Sequence, residues 1–328
     1  MKGIVVTEFG SLDGLIYKEL PFPKISEQEV LIRVHATSVN FADIKVRRGE
    51  HHGGQKPPYT PGIDLMGTIE KLGSNVHNLQ VGQRVIAFPI GGSYSQYAIA
   101  NENLTFPISD YLDSNIAAAS PTVSFTAYNL LAEIAKIQRG ETVLIHSAAG
   151  GIGTTASQIA KILGAKKVIG TVSSDEKISI SKVMGSDEVI NYRKDDFVDR
   201  VLETTNGRGV DIILDSIGGK IFNDSLRCLA QFGRIVNFGN SSGQPGTVET
   251  TNVHSSCRSV LGYSFGTVKK YSPERVAETA TKVVPLLEKG QINMHIGETF
   301  PLDEAKKAQE LMENRKTQGK ILLMPDQD

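Results

Sequence analysis

The stretch Thr142-Val143-Leu144-Ile145-His146-Ser147-Ala148-Ala149-Gly150-Gly151-Ile152-Gly153 decides the fold. A short apolar run ends at His146, a glycine-rich turn comes next, and apolar residues then recur at helical spacing at Ile152, Ala156, Ile159 and Leu163. Aligned on the spacing Gly-x-Gly-x-x-Gly, Ala148 takes the first position, Gly150 the second and Gly153 the third, with Gly151 and Ile152 between them. Glycine at the second position lets the backbone approach a pyrophosphate closely, and at the third it lets the helix pack tightly on the strand. The first turn of that helix offers unpaired N–H groups and the positive end of its dipole. A tight structural turn would also favour glycine, but strand, turn and helix agree here, so a dinucleotide is expected on residues 148–153.

Further apolar runs lie downstream at 167–172, 188–191, 210–214 and 234–238, with helical stretches between them. They are continuous rather than alternating, as strands buried on both faces of a parallel sheet require. The expectation is an α/β, doubly wound parallel sheet. Upstream the texture differs. Residues 1 to about 118 carry short β-like runs, such as 29–35 and 84–88, broken by Gly53-Gly54 and Gly91-Gly92, and read as a mostly β domain. Near the chain end, Ser272-Pro273 opens a helix that closes near Gly290, a second helix covers 302–313, and the apolar strand 321–324 is expected to return to the first domain. The division is therefore 1–118 with 269–328, and 119–268.

Composition narrows the function. A chain of 328 residues is long enough for two cores. Its net charge of −1 gives no global attraction to nucleic acid or anionic lipid. Cys228 and Cys257 are the whole cysteine complement, too few for a disulfide framework or a thiolate zinc cluster. The N-terminus lacks signal-peptide features, and no apolar run approaches the roughly 18 residues of a membrane span. A cytoplasmic protein with neither membrane nor nucleic-acid partners is expected.

The strand after the glycine turn bears on the nucleotide. A site for the unphosphorylated ribose places Asp or Glu at its end. Here it ends Gly170-Thr171-Val172-Ser173-Ser174, and Asp175 and Glu176 read as first-turn acids behind a Ser174 cap. Lys177 and the Tyr192 hydroxyl are placed to clasp a 2′-phosphate, although Lys177 alone also reads as a solvated helix residue. NADPH is the favoured cofactor.

With these pieces assembled, the chain resembles the zinc-free quinone oxidoreductases (zeta-crystallin group) of the medium-chain dehydrogenase/reductase superfamily. The marks are Val39-Asn40-Phe41-Ala42-Asp43 with Arg47 and Gly49, Pro61-Gly62-Ile63-Asp64, Val81-Gly82-Gln83-Arg84-Val85, residues 148–153, and Asn191-Tyr192. Asp215-Ser216-Ile217-Gly218, Phe238-Gly239-Asn240 and Thr317-Gln318-Gly319-Lys320-Ile321-Leu322-Leu323 complete them. The resemblance implies a Rossmann domain inserted into a GroES-like catalytic domain built from both chain ends. It also implies a homodimer paired through the edge strands of two cofactor sheets, with 258–262 as the edge. It assigns Ser174, Lys177, Tyr192 and Arg315 to the adenosine 2′-phosphate. Ser216, Phe238, Asn240 and Thr126 go to the rest of the cofactor, the last two near the nicotinamide.

Zinc-dependent cousins hold metal with a cysteine in the region of 39–43 and a histidine after Gly62. Asn40 and Ile63 stand there instead, so no metal is expected. Without a metal to polarise a carbonyl, an electron-poor acceptor is needed, and a small-molecule quinone or enone fits. Asn40 is then the leading donor to the substrate oxygen or positioner of the nicotinamide, with a turn-forming Asn as the plainer alternative. Thr126 is an expected neighbour of the nicotinamide, or an ordinary helix threonine. His51 titrates near neutrality and is a candidate proton donor, as is water. Lys45, Arg47 and His51 are placed to line the substrate entrance, while Arg47 also suits a fold-stabilising ion pair. Related quinone reductases carry tyrosines near the positions of Lys45 and His51, and this chain does not. The alternatives are an NADPH-dependent reductase of activated alkenes (enals, enones, acrylyl thioesters) and a non-catalytic NADPH-sensing or RNA-binding protein. The near-neutral charge and lack of an aromatic-basic patch speak against RNA.

Overall fold

The structure, a computed structural model, describes residues 1–50 and 55–326. The chain forms two compact units: Met1–Thr122 with Ser272–Gly290 and Ile296–Asp328, and Val123–Tyr271 with Gln291–His295.

The second unit contains a six-stranded parallel sheet in the order Glu188–Asn191, Lys167–Val172, Thr142–Ile145, Val210–Asp215, Leu229–Asn237, Ser259–Gly262. The chain winds from Thr142–Ile145 to one edge, crosses back to Val210–Asp215, and winds to the other. The strand order thus reverses between the two central strands. Val143, Leu144, Ile169, Ile212, Ile213, Ile235 and Val236 are all fully buried. The central strands are covered on both faces, which is why their apolar runs are continuous, while the edge strand Ser259–Gly262 alternates between half-buried and exposed. The Leu229–Asn237 strand starts earlier than its apolar run suggests. Its register shifts between Val210 and Ile212, and Phe232 adopts a left-handed φ of 61°. That irregularity interrupts the regular burial that makes a strand readable in sequence.

In the first unit the long strand Glu29–Val39 pairs antiparallel with Leu65–Leu72, with Tyr97–Asn101 and with the closing strand Lys320–Met324, placing Ile321 opposite Val39. The segment Gln291–His295 interrupts this unit and groups with the second, unlike a simple division at 269. The cause is local. Gln158 Nε2 donates to the Asn293 carbonyl at 2.9 Å, and Asn293 N–H donates back to Gln158 Oε1 at 2.9 Å. Among the described residues no helix is long and apolar enough to cross a membrane.

One polar residue sits inside the second core. His146 follows the Thr142–Ile145 strand and is 2% exposed, edge-on to Phe197. Its Nδ1 lies 2.9 Å from Thr171 Oγ1 and its Nε2 2.8 Å from Ser225 Oγ. The Ser225 hydroxyl donates its proton to the Ile221 carbonyl at 2.7 Å, so Nε2 must donate and Nδ1 must accept. A neutral imidazole satisfies both neighbours. Burial pushes its pKa down to about 4, opposed by the nearby charge of Asp215. The folded state resists protonation, so the unfolded chain binds the extra proton between pH 6.5 and 4. The stability this group supplies is complete above pH 6.5 and drains as pH falls. Measured by chemical unfolding, the gap between wild type and His146→Gln should shrink by about 2 kcal/mol from pH 7.5 to pH 5. A gap that does not change with pH would mean the imidazole takes up its proton as readily in the fold as in the unfolded chain.

Candidate functional site

In a doubly wound sheet, ligands bind beyond the carboxyl ends of the strands where the order reverses. Here the turns after Thr142–Ile145 and Val210–Asp215 flank that point. In the first turn Ser147 takes a left-handed φ of 56°, and Gly150 N–H donates to the Ser147 carbonyl at 2.9 Å. The helix Gly151–Ile162 starts immediately, its N-cap Gly150 extended (φ −82°, ψ 170°) and no side chain capping it. A Cβ on Gly153 would lie 2.4 Å from the Ser147 carbonyl oxygen and 2.6 Å from Ala148 Cα, so only glycine closes this turn. Alanine is accommodated at the first motif position because Gly170 faces it. A Cβ there would meet Ala148 Cβ at 2.6 Å. Gly150, Gly151 and Ile152 are partly exposed, leaving the start of the helix accessible to an anionic group.

The next strand end assembles three of the expected residues. Asn191 pairs in register with Val172, and Tyr192 N–H donates to the Val172 carbonyl at 3.1 Å. Ser174, Lys177 and Tyr192 therefore share the carboxyl edge of two adjacent strands. Ser174 differs from expectation in one respect. It occupies the N-cap position of the turn Asp175–Lys177, but its hydroxyl makes no cap bond. Asp175 instead accepts from Asn191 Nδ2 at 2.7 Å and pairs with Lys194 Nζ. The Lys194 bond holds the Asp175 carboxyl below its usual range, and Asp175 raises the Lys194 ammonium in return. Lys194 was not identifiable from sequence, since only the pairing of the two strands brings it near Asp175. Arg315, the fourth phosphate candidate, belongs to the first unit and follows the helix Ala305–Glu313 with a left-handed φ of 56°.

On the other side of the reversal, the fully buried Asp215 accepts from the N–H groups of Ile217 (2.9 Å) and Gly218 (3.2 Å) and from Asn237 Nδ2 (2.8 Å). The Ser216 carbonyl accepts from Ser241 N–H at 3.0 Å, and Phe238 N–H donates to the Asp215 carbonyl at 2.9 Å. The loops bearing Ser216, Phe238 and the exposed Asn240 are thus laced together. Thr126 is buried on the helix Pro121–Tyr128, which continues into a π-helical turn at Asn129–Ile134, a geometry found often at functional sites.

The first unit revises two expectations. Asn40 is 7% exposed, and its amide is committed internally. Nδ2 donates to the Ser38 carbonyl (3.2 Å), Ser38 Oγ (3.2 Å) and Asp64 Oδ1 (3.1 Å), while Oδ1 accepts from Lys320 Nζ at 2.8 Å. With both amide hydrogens engaged, Asn40 is seen here as a brace among Ser38, Asp64 and Lys320, a role compatible with positioning the loop it ends. Arg47 does not line an entrance. It is 1% exposed and bound to Gln309 Oε1 (2.8 Å), the Gly10 carbonyl and Glu313, the ion pair that its alternative reading required. His51 lies outside the described residues. Sequence reasoning also missed Asp43. Buried, its Oδ2 accepts from Asn40 N–H (2.9 Å) and the Tyr94 hydroxyl (3.1 Å), while Oδ1 has no partner among the described residues. Burial lifts its pKa to about 7, helped by the charge of Asp64. Lys320, buried beside them, is lowered by the same desolvation.

Two family profiles match the chain: the alcohol dehydrogenase GroES-like domain over residues 26–110 and the zinc-binding dehydrogenase domain over residues 151–283. Among curated proteins, the quinone oxidoreductase of Rattus norvegicus is 31% identical over 99% of this chain and 98% of its own length. That of Pseudomonas aeruginosa is 34% identical over 99% of both. Among solved structures, Escherichia coli quinone oxidoreductase complexed with NADPH superposes with a TM-score of 0.92 at 32% identity, covering 99% of this chain and all of that one. The chain belongs to the quinone oxidoreductase family of the medium-chain dehydrogenase/reductase superfamily.

Proposed function

We propose that this protein is an NADPH-dependent quinone reductase that passes hydride to electron-poor conjugated carbonyl acceptors without zinc. The observation that carries this is the uncapped start of the helix Gly151–Ile162 at the point where the strand order reverses. Ala148, Gly150, Gly151, Ile152 and Gly153 hold the pyrophosphate. Ser174, Lys177 and Tyr192 take the 2′-phosphate. Ser216, Phe238, Asn240 and Thr126 are assigned to the rest of the cofactor, the last two to the nicotinamide end. The NADPH in the E. coli relative and the names of the curated relatives support the assignment.

When bound, the nucleotide supplies the hydride. The chain's own work is to fix the ring, exclude water and keep its loops rigid, which the Asp215 and Asn40 bond networks do. The donor set does not suit zinc. Asn40 has its carbonyl oxygen on Lys320, Ile63 is apolar, and among the described residues no three His, Cys, Asp or Glu side chains are grouped to hold a metal. An acceptor that spreads the incoming charge onto a conjugated oxygen needs no Lewis acid, which favours quinones. The edge strand Ser259–Gly262, paired on one side only and alternately half-buried and exposed, is assigned as the seam of a homodimer.

Purified protein should bind NADPH in calorimetry and oxidise it with benzoquinone-type acceptors, at a rate that survives dialysis against a chelator. Failure to bind NADPH would end the proposal, enone turnover without quinone turnover would reassign the acceptor, and rescue by zinc would refute the metal-free part. Lys177→Ala should raise the Kd for NADPH about tenfold, roughly 1.4 kcal/mol, and leave NADH within about twofold; equal losses would remove Lys177 from the phosphate site. Light scattering should return twice the 35.5 kDa chain mass, and a monomer would rule out the edge-strand seam.

A further inference from the structure

Asp175 lies about 20 residues beyond the glycine turn, where a dinucleotide site usually stations the carboxylate that accepts from the ribose hydroxyls. In this chain that carboxylate is already occupied. Oδ1 accepts from Asn191 Nδ2 at 2.7 Å, and Oδ2 is bound by Lys194 Nζ. The anchors are themselves fixed. Asn191 is buried at the end of its strand, and its Oδ1 accepts from Arg193 N–H at 3.1 Å, which turns Nδ2 toward Asp175. The N–H groups of Lys194 and Asp195 both donate to the Asn191 carbonyl, at 2.9 and 3.1 Å, closing the turn that carries the lysine. Yet the ion pair is open to solvent, its side chains 65% and 54% exposed. Pairs so exposed add little to folding.

We propose that the latch formed by Asp175, Asn191 and Lys194 sets the preference for a 2′-phosphorylated nucleotide. This rests on reading the glycine turn as an NADPH site. A bare carboxylate here would welcome a ribose diol and repel a phosphate. With Lys194 bonded to it, the pair is neutral, and with Asn191 on the other oxygen, each carboxylate oxygen already holds one donor, which weakens its pull on ribose hydroxyls. Lys194, two residues beyond Tyr192 and open to solvent, offsets the negative charge that Asp175 would otherwise set beside Lys177. Because the charges are exposed, the effect is short-ranged and fades with salt. The latch thus turns a residue type that selects against NADPH into one that tolerates it.

The test titrates NADPH, NADH and their fragments 2′,5′-ADP and 5′-AMP into wild type, Lys194→Met, Asp175→Asn and the double variant, following binding by calorimetry. Lys194→Met should weaken NADPH and 2′,5′-ADP about tenfold and change NADH and 5′-AMP by less than about twofold. Adding Asp175→Asn should recover most of the loss, since no unmasked carboxylate remains. Melting temperatures should stay within about 2 °C of wild type. A Lys194→Met protein that loses all four ligands alike, loses none, or is not rescued by Asp175→Asn would overturn the latch while leaving the nucleotide site standing. A wild type that binds neither dinucleotide would remove the site and the latch together.

Discussion

The first N–H groups of an α-helix have no partner within it, and most helices supply a side chain to meet one of them. The helix Gly151–Ile162 brings none, and much of the second unit is arranged around that deficit. The turn before it is held from behind: Ala148 N–H donates to the Thr171 carbonyl at 3.0 Å, and the Thr171 hydroxyl is engaged with His146. Gly153 brings the helix down onto the turn and Gly170 makes room for the Ala148 methyl. Backbone that is both rigid and unsatisfied is a receptor for anions. The parallel sheet is what makes such rigidity possible, because each strand on either side of the turn is pinned by its neighbours.

The first unit solves a different problem, the burial of charge. Asp43, Asp64, Arg47 and Lys320 are all nearly inaccessible to water. Charges taken out of water are tolerated only when paired and hydrogen-bonded. Asp64 meets the condition with Ser38, Asn40 and the Thr122 N–H, and Arg47 meets it with Gln309, Gly10 and Glu313. Asp43 meets it only in part, since one oxygen has no partner among the described residues, and burial raises its pKa accordingly. Asn40 stands where these groups meet, its amide linking Ser38 and Asp64 to the lysine of the closing strand. An asparagine in that position orders its loop, with every polar atom of its amide engaged inside the fold.

Much of the fold was legible in the residues. Continuous apolar runs mark strands covered on both faces, and the glycine turn marks where the sheet receives a ligand, because both signals are local. What escaped was created by strands meeting at long range. Lys194 and Asp175 carry no mutual signal along the chain; they meet only because Glu188–Asn191 lies beside Lys167–Val172. Lys320 reaches Asn40 only across the pairing of Ile321 with Val39. The Ser174 cap is a local expectation the structure does not bear out: Ser174 stands at the N-cap position without a side-chain bond, whereas Ser11 and Asn101 cap turns of the same length. A division at 269 puts the segment Gln291–His295 with the first unit, whereas Gln158 and Thr155 of the helix Gly151–Ile162 hold it to the second.

The Lys320–Asn40 bond has a bearing on how the chain is made. The second unit is almost contiguous, so its sheet can assemble while the ribosome is still adding the later residues. The first unit has no such freedom: the loop around Asn40 is finished only when Lys320, 280 residues further along, arrives on the strand that pairs beside it. Emergence order and completion order are therefore inverted, and the part synthesised first is the last to be locked.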